Sequence, residues 1–129
     1  GHWIMMMSKK KKKWIKMEPW VGVDLDGTLA KYDKYDGTNI GEPIEAMLTR
    51  IKLWLAEGTK VKIFTARVSH DEDGEHRRAI DKWCDKHIGQ KLETTCTKDF
   101  GMVELWDDRA VAVEKNTGKA VTLNELWKH

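Results

Sequence analysis

The sequence predicts an α/β protein with a mainly parallel sheet, and three observations support this prediction. Short apolar stretches with the two-residue period of strands alternate with stretches whose apolar residues recur at helical spacing, as in βαβ units. The 129 residues are 40% hydrophobic and 34% charged, which suits one globular domain. Acidic residues directly follow two of the apolar stretches, at the strand ends where ligands bind in parallel sheets.

The first half of the chain predicts a strand, a loop and a helix. The apolar residues over 21–25 alternate with others, as in a strand, and a polar, glycine-rich loop follows. A helix is then predicted over 43–57, with Pro43 in its first turn and Gly58 just past its end. Its apolar residues at helical spacing are Ile44, Met47, Leu48, Ile51, Trp54 and Leu55.

The second half continues the alternation and completes a five-stranded sheet. A second helix, with Ala79, Ile80, Trp83 and Cys84 at helical spacing, is predicted to close at Gly89. A capping-box pattern at 122–125 predicts a short last helix. The five predicted strands lie in "VGVDL" (21–25), "KVKIF" (60–64), "KLETTCT" (91–97), "MVELW" (102–106) and "AVAVE" (110–114).

Unusual polar residues follow four of these strands. Because the carboxyl ends of parallel strands lie at one edge of a sheet, we expect these side chains to converge there. The third strand is the weakest of the four, and Lys91 is an alternative to the lysine that follows it. The residues are Asp24 and Asp26, Thr65 and Arg67, Lys98, and Asp107 and Asp108.

Four carboxylates at one place favour a bound cation, since they otherwise repel each other. Oxygen ligands without histidine or cysteine favour Mg²⁺, which works beside phosphate groups. A carboxylate can also act as a nucleophile, and a second acid can move the proton. The alternative is an ordinary strand that runs into a polar turn. "DEDG" (71–74) repeats the letters of "DLDG" without following a strand, and we interpret it as a solvated loop.

The motifs "DLDGT", "FTAR", "TKDF" and "WDDR", in this order and at these strand ends, resemble the haloacid dehalogenase (HAD) superfamily of phosphohydrolases. The resemblance covers residues 20 to about 115. It implies a Rossmann-like three-layer α/β/α fold. The short segments at both usual insertion points resemble the capless members, with no cap domain over the site. "FTAR" and "WDDR" are also similar, more weakly, to the phosphatase domain of phage polynucleotide kinase-phosphatases.

The resemblance implies a role for each matching residue. Asp24 would be the nucleophile that forms an aspartyl-phosphate, and Asp26 the general acid and base. The implied metal ligands for Mg²⁺ are Asp24, Asp26 through its backbone carbonyl, Asp107 and Asp108. The implied phosphate-binding residues are Thr65, Ala66, Arg67 and Lys98.

The expected function is therefore a Mg²⁺-dependent phosphomonoesterase whose open site would admit large phosphorylated substrates. Two alternatives remain at this point: a nucleic-acid end phosphatase, and a non-catalytic module that binds phosphate or nucleic acid. The sequence names neither the substrate nor the oligomeric state.

The amino-terminal segment differs in charge from the remainder. Residues 1–16 contain six lysines and no acids, whereas residues 17–129 carry 17 basic and 21 acidic side chains, a net charge of −4. We expect 1–16, including an expression remnant, to be a disordered basic arm that is either solvated or in contact with nucleic acid, and 17–129 to be the catalytic domain. Two cysteines without a CxxC pair, and no apolar span or signal peptide, predict a cytoplasmic protein without a membrane contact.

Overall fold

The structure is a computed structural model that describes residues 4–10 and 13–121. It contains two helices and eight strands, with a 3₁₀ turn at Ala66–Val68 after the fourth strand. The helices are α1 (Glu45–Ala56) and α2 (Glu75–His87). The strands are β1 (Ile4–Ser8), β2 (Lys13–Met17), β3 (Trp20–Val23), β4 (Lys60–Phe64), β5 (Glu93–Thr95), β6 (Met102–Trp106), β7 (Ala112–Val113) and β8 (Ala120–Val121).

The central sheet has four strands in the order β5-β4-β3-β6, all parallel. Strand β3 lies between β4 and β6, and its last residue, Val23, pairs with Ile63 on one side and with Trp106 on the other. The residues that follow these three strands therefore emerge side by side at one edge. This register positions the candidate site.

Both helices pack on one face of the sheet. Val21 and Val23 of β3 form one core cluster with Val61 and Ile63 of β4, because alternate residues of neighbouring strands point to the same side. The residues that the helices contribute to this cluster are Met47, Leu48 and Ile51 from α1 and Ile80, Trp83 and Cys84 from α2.

The opposite face carries no helix among the described residues. Segment 96–101 links β5 to β6 and passes over this face, where Asp99 accepts a hydrogen bond from the Trp20 indole (2.9 Å). Lys62 lies over the Trp20 ring, 4.4 Å from its centroid. Trp20 is 1% exposed, so side chains and a short segment bury it without a third layer.

The prediction of a Rossmann-like three-layer fold with five parallel strands is wrong. Six residues between β5 and β6 are too few for a helix that would cover the second face. The alternation in "KVKIF" gives the physical reason, because a strand covered on both faces is apolar nearly throughout, whereas Lys60 and Lys62 face the uncovered side. The expected fifth strand is also absent from this sheet: β7 pairs with β8 in a separate antiparallel ribbon.

The two main helices lie where the sequence predicts them. Helix α1 falls within the predicted range 43–57, and α2 begins four residues before Ala79. "DEDG" is the turn before α2, where the Asp71 carboxylate accepts the backbone N–H groups of His76 and Arg77, both at 2.9 Å. The predicted last helix at 122–125 lies outside the described residues.

The amino-terminal segment differs from the disordered arm that its charge predicts. Strands β1 and β2 form an antiparallel hairpin in which Met7 pairs with Trp14 and Met6 with Ile15. Most residues of both strands are apolar, and those of β2 include Trp14 and Ile15, residue types that favour strands. Lys9 and Lys10 lie at the turn of the hairpin. In the part of the chain that the structure describes, no helix has the length and apolar content needed to cross a membrane.

Candidate active site

Three carboxylates meet where β3 and β6 end. The backbone N–H of Asp24 donates to the carbonyl of Trp106 (2.9 Å), which extends the β3–β6 pairing by one residue and places Asp24 beside Asp107 and Asp108. One carboxylate oxygen from each of the three side chains lies within 4.8 Å of the others. Asp24 and Asp107 are partly buried, and Asp108 is exposed.

The Thr28 hydroxyl ties the loop after β3 to this group. It accepts a hydrogen bond from the backbone N–H of Asp108 (2.9 Å) and lies 2.9 Å from the Asp108 carboxylate, to which it can donate its single proton. Its oxygen is also 3.3 Å from a carboxylate oxygen of Asp24. Thr28 thus fixes the position of Asp108 relative to Asp24.

Gly27 allows the close approach of Asp108. Its φ is +90°, a conformation that other residues adopt only with strain. A Cβ atom at this position would lie 2.6 Å from Oδ2 of Asp108. The glycine of "DLDGT" is therefore required both by the turn and by the carboxylate packed against it.

The pKa of Asp24 reflects its surroundings. Partial burial, followed by the negative charge of Asp107 and by the contact with Asp108, raises the pKa of Asp24 to about 7, and the nearby Thr28 hydroxyl opposes this shift. A cation among the three side chains would offset the negative charges of Asp107 and Asp108, which contribute to this increase. The site therefore has the electrostatics of a cation site.

Asp26 has a different environment. Its carboxylate forms a two-bond ion pair with Arg67, from Nε to Oδ2 (2.7 Å) and from Nη2 to Oδ1 (2.9 Å). The same guanidinium donates to the carbonyl of Asn39 (3.0 Å) and lies 3.5 Å from that of Gly37. Arg67 thereby holds the loop after β3 against the site, and the cluster of three carboxylates does not include Asp26.

The residues that follow β4 form another side of the site, beside those that follow β3 and β6. Thr65 is 2% exposed, its backbone N–H donates to Thr95 of β5 (2.9 Å), and its hydroxyl accepts the backbone N–H of Arg67 (3.1 Å). This hydrogen bond starts the 3₁₀ turn and directs Arg67 towards Asp26. Ala66 is exposed and also borders the site.

These groups line one open cleft of about 610 Å³, a volume in the usual range for a small-molecule site. The structure brings six of the seven expected side chains of the strand ends to it, together with Ala66. The lining residues are Asp24, Asp26, Tyr32, Phe64, Thr65, Ala66, Arg67, Asp107, Asp108, Arg109 and Ala110.

The structure does not bring the expected lysine to the cleft. Lys98 is exposed on the segment that passes over the uncovered face and is not one of the lining residues among those described. Lys91, the alternative, precedes β5 and therefore lies towards the opposite edge of the sheet. The cationic side chains at the cleft are Arg67 and Arg109.

Three site residues were not predicted. Thr28 could have been found, because a hydroxyl four residues after Asp24 in a tight turn comes back to the strand end. Tyr32 and Arg109 lie in loops without a regular period, so only the folded chain shows that they border the cleft.

Comparison with known proteins gives one distant structural likeness. No family model and no curated protein matches the chain. A solved structure of a conserved protein from Bacteroides thetaiotaomicron superimposes with a TM-score of 0.53 at 19% sequence identity, over 86% of this chain and 88% of that one. At this identity the likeness concerns the fold alone. Any statement on function therefore depends on the geometry of the cleft.

Proposed function

We propose that this protein is a Mg²⁺-dependent phosphomonoesterase that acts through an aspartyl-phosphate on Asp24. The observation that supports this most strongly is the group of Asp24, Asp107 and Asp108 within 4.8 Å, beside a second acid that is kept apart from them. Two acids in different environments suit two chemical roles. The carboxylate within the group is the nucleophile, and Asp26 moves the proton.

The donor set fits a hard divalent cation. The three side chains offer only oxygen atoms, and the cleft that they line is open, so water could reach a bound ion. When bound, Mg²⁺ would supply positive charge that stabilises the ionised carboxylates and the phosphoryl oxygens. Asp24, Asp107 and Asp108 would hold it.

The reaction has two balanced steps. In the first, an Asp24 oxygen attacks phosphorus, the bond from phosphorus to the ester oxygen breaks, and Asp26 gives its proton to the leaving alcohol. In the second, water attacks phosphorus, Asp26 takes a proton from the water, and the bond between phosphorus and Asp24 breaks. Phosphate leaves, and both carboxyl groups return to their initial state.

Arg67 controls when Asp26 can act. Its guanidinium engages both Asp26 oxygens, so one of these bonds must open before Asp26 carries a proton. A phosphoryl group in the cleft competes for the guanidinium, because arginine pairs with phosphate as well as with carboxylate. Substrate binding would then release Asp26, which takes a proton from water before the first step. This order reconciles the pairing of Asp26 with the phosphate-binding role expected for Arg67.

The test is phosphate release from p-nitrophenyl phosphate. We expect activity with Mg²⁺, none with excess EDTA, and recovery when Mg²⁺ is restored. The Asp24→Asn variant should lose this activity, whereas Asp85→Asn, which makes the same chemical change at an exposed position of α2, should retain it in full. No turnover of any phosphomonoester in the presence of Mg²⁺ would favour a non-catalytic phosphate-binding module instead.

A nucleic-acid end phosphatase is the second candidate, and the basic hairpin favours it. Lys9 and Lys10 lie at the turn of an exposed hairpin, where they could contact a phosphate backbone. Release of phosphate from oligonucleotide ends that falls steeply with salt would support this candidate.

Cys84 and Cys96 are both free thiols, which suits the cytoplasm as the place of action.

A further inference from the structure

A second pocket lies directly beside the cleft. It has a volume of about 340 Å³, within the range of small-molecule sites. It shares Asp26, Tyr32, Ala66 and Arg67 with the cleft but includes none of Asp24, Asp107 and Asp108. The residues that belong to this pocket and not to the cleft are Tyr35, Gly37, Ser69, His70 and His76.

The position of this pocket matches the leaving group of a phosphoester. In the proposed reaction, phosphorus lies next to Asp24, and the ester oxygen lies next to Asp26, which gives it a proton. The group attached to that oxygen must therefore extend past Asp26, away from the three clustered carboxylates. The pocket bordered by Asp26 and Arg67 is in that direction.

The lining of the pocket indicates a flat, uncharged ring system. Two phenol rings and two imidazoles border it, and its opposite charges, Asp26 and Arg67, pair with each other. Tyr35 is 78% exposed, which leaves its ring free for stacking. A further depression beside the same ion pair carries Lys31, Asp33, Lys34 and Asp36 and suits a charged group instead.

One polar atom in the lining residues lacks a partner. Nδ1 of His76 is buried without a hydrogen bond among the described residues. Such an atom is costly, but protein atoms cover Nδ1, so a ligand could supply a partner only after the His76 ring turns. The edge of a nucleobase offers both donors and acceptors of hydrogen bonds.

We propose that this pocket is a nucleoside subsite, so that the substrate of the phosphatase is a nucleoside monophosphate unit with its base between Tyr35 and the histidines. The proposal rests on the proposed function for the placement of the phosphate. The unit can come from a free nucleotide or from the end of a nucleic-acid strand, and the same chemistry recognises both.

The kinetic test compares nucleoside monophosphates with ribose 5-phosphate. The wild-type protein should have a higher kcat/KM for the nucleotides, and Tyr35→Ala should lower that value by about 5- to 100-fold, the range of one stacking contact. Ribose 5-phosphate should be unaffected, and Tyr35→Phe should restore the nucleotide rate. Phe100→Ala is the matched control, since Phe100 is 71% exposed on the segment over the uncovered face.

A binding test separates this proposal from the proposed function. Adenosine 5′-monophosphate is titrated into the Asp24→Asn variant and followed by the NMR signals of Tyr35 and His76. We expect these signals to shift, and the Tyr35→Ala change in the same background to weaken binding. Phosphatase activity without nucleotide preference and without these shifts would overturn the subsite and leave the phosphatase standing. Shifts without any phosphatase activity would overturn the phosphatase and support a nucleoside-binding pocket.

Two further arms distinguish the sources of the unit. A free nucleotide and a phosphorylated oligonucleotide of the same terminal base are compared at equal concentration. A higher kcat/KM for the free nucleotide assigns the pocket to small substrates, and a higher value for the oligonucleotide assigns it to strand ends. Equal use of ribose 5-phosphate and both nucleotides would contradict the subsite.

Discussion

The two halves of the cleft differ in how their charge is balanced. Around Asp24, three carboxylates share a small space, and no basic side chain pairs with Asp24 in the described residues. Around Asp26, Arg67 neutralises the carboxylate through two hydrogen bonds. Only one residue, Leu25, separates the two acids along the chain. The difference shows that the partners supplied after β4 and β6, and not sequence spacing, set the environment of each acid.

The largest expected effect comes from the Asp24→Asn variant. The loss of the nucleophile should reduce p-nitrophenyl phosphate hydrolysis to background, because no covalent intermediate can form. Without metal, the variant should unfold at a higher temperature than the wild type, because one of three mutually repelling charges is removed. Stabilisation by added Mg²⁺, measured by thermal unfolding, should largely disappear. Near-normal turnover would contradict the covalent mechanism and favour direct attack by water.

The Asp26→Asn variant tests the other half of the cleft. Loss of proton transfer should lower the rate by about 10²–10⁴-fold, less for an aryl phosphate than for an alkyl phosphate, because a good leaving group needs no proton. Stabilisation by Mg²⁺ should persist, since Asp26 lies outside the carboxylate group. Single-turnover rates of the variant and the wild type with an aryl and an alkyl phosphate measure the loss of rate. Equal losses for both substrates would argue against a proton-transfer role.

The Arg67→Met variant removes the balancing charge and keeps much of the side-chain length. Asp26 would then lack both charged hydrogen bonds, each worth about 1.5–3 kcal/mol before solvent screening reduces it. We expect a loss of about 2 kcal/mol in the free energy of unfolding, measured with urea, and faster hydrogen exchange in the loop around Asn39. Arg109→Met is the matched control and should leave that loop unchanged.

The smallest change, Gly27→Ala, links the two halves, because Gly27 lies between Asp26 and Thr28. The backbone conformation alone should cost about 1–3 kcal/mol of folding stability, and the new methyl group should displace Asp108. Mg²⁺ affinity should fall, whereas Gly37→Ala, also at positive φ but in open space, should leave it unchanged. Calorimetric titration with Mg²⁺ measures the affinity of both variants. An unaltered affinity in Gly27→Ala would show that Asp108 is not a ligand.

Much of the cleft could be predicted from local pattern. The alternation in "VGVDL" and "MVELW" places Asp24 and Asp107 at strand ends, and parallel strands bring such ends to one edge. The absence of Lys98 from the residues that line the cleft also has a physical cause. It follows the short edge strand β5, and its segment leaves the edge of the sheet at once to pass over the uncovered face.

The absence of a third layer could also be predicted in part from the sequence. Lys60 and Lys62 alternate with Val61 and Ile63, which indicates one solvated face, whereas the motif resemblance implied two covered faces. The residues at strand ends carried that resemblance, and they specify the chemistry of an edge without specifying what covers the faces of the sheet.

The sequence by itself determined the four strands of the central sheet, helices α1 and α2, and the acids that end two neighbouring strands, because periodicity and chain direction are local properties. Only the tertiary structure decided that Arg67 pairs with Asp26, that Thr28 holds Asp108, and that a tyrosine- and histidine-lined pocket opens beside them. These contacts join residues that lie 40 to 80 positions apart or in aperiodic loops. Their geometry depends on how the loops close over the sheet, which no local pattern specifies.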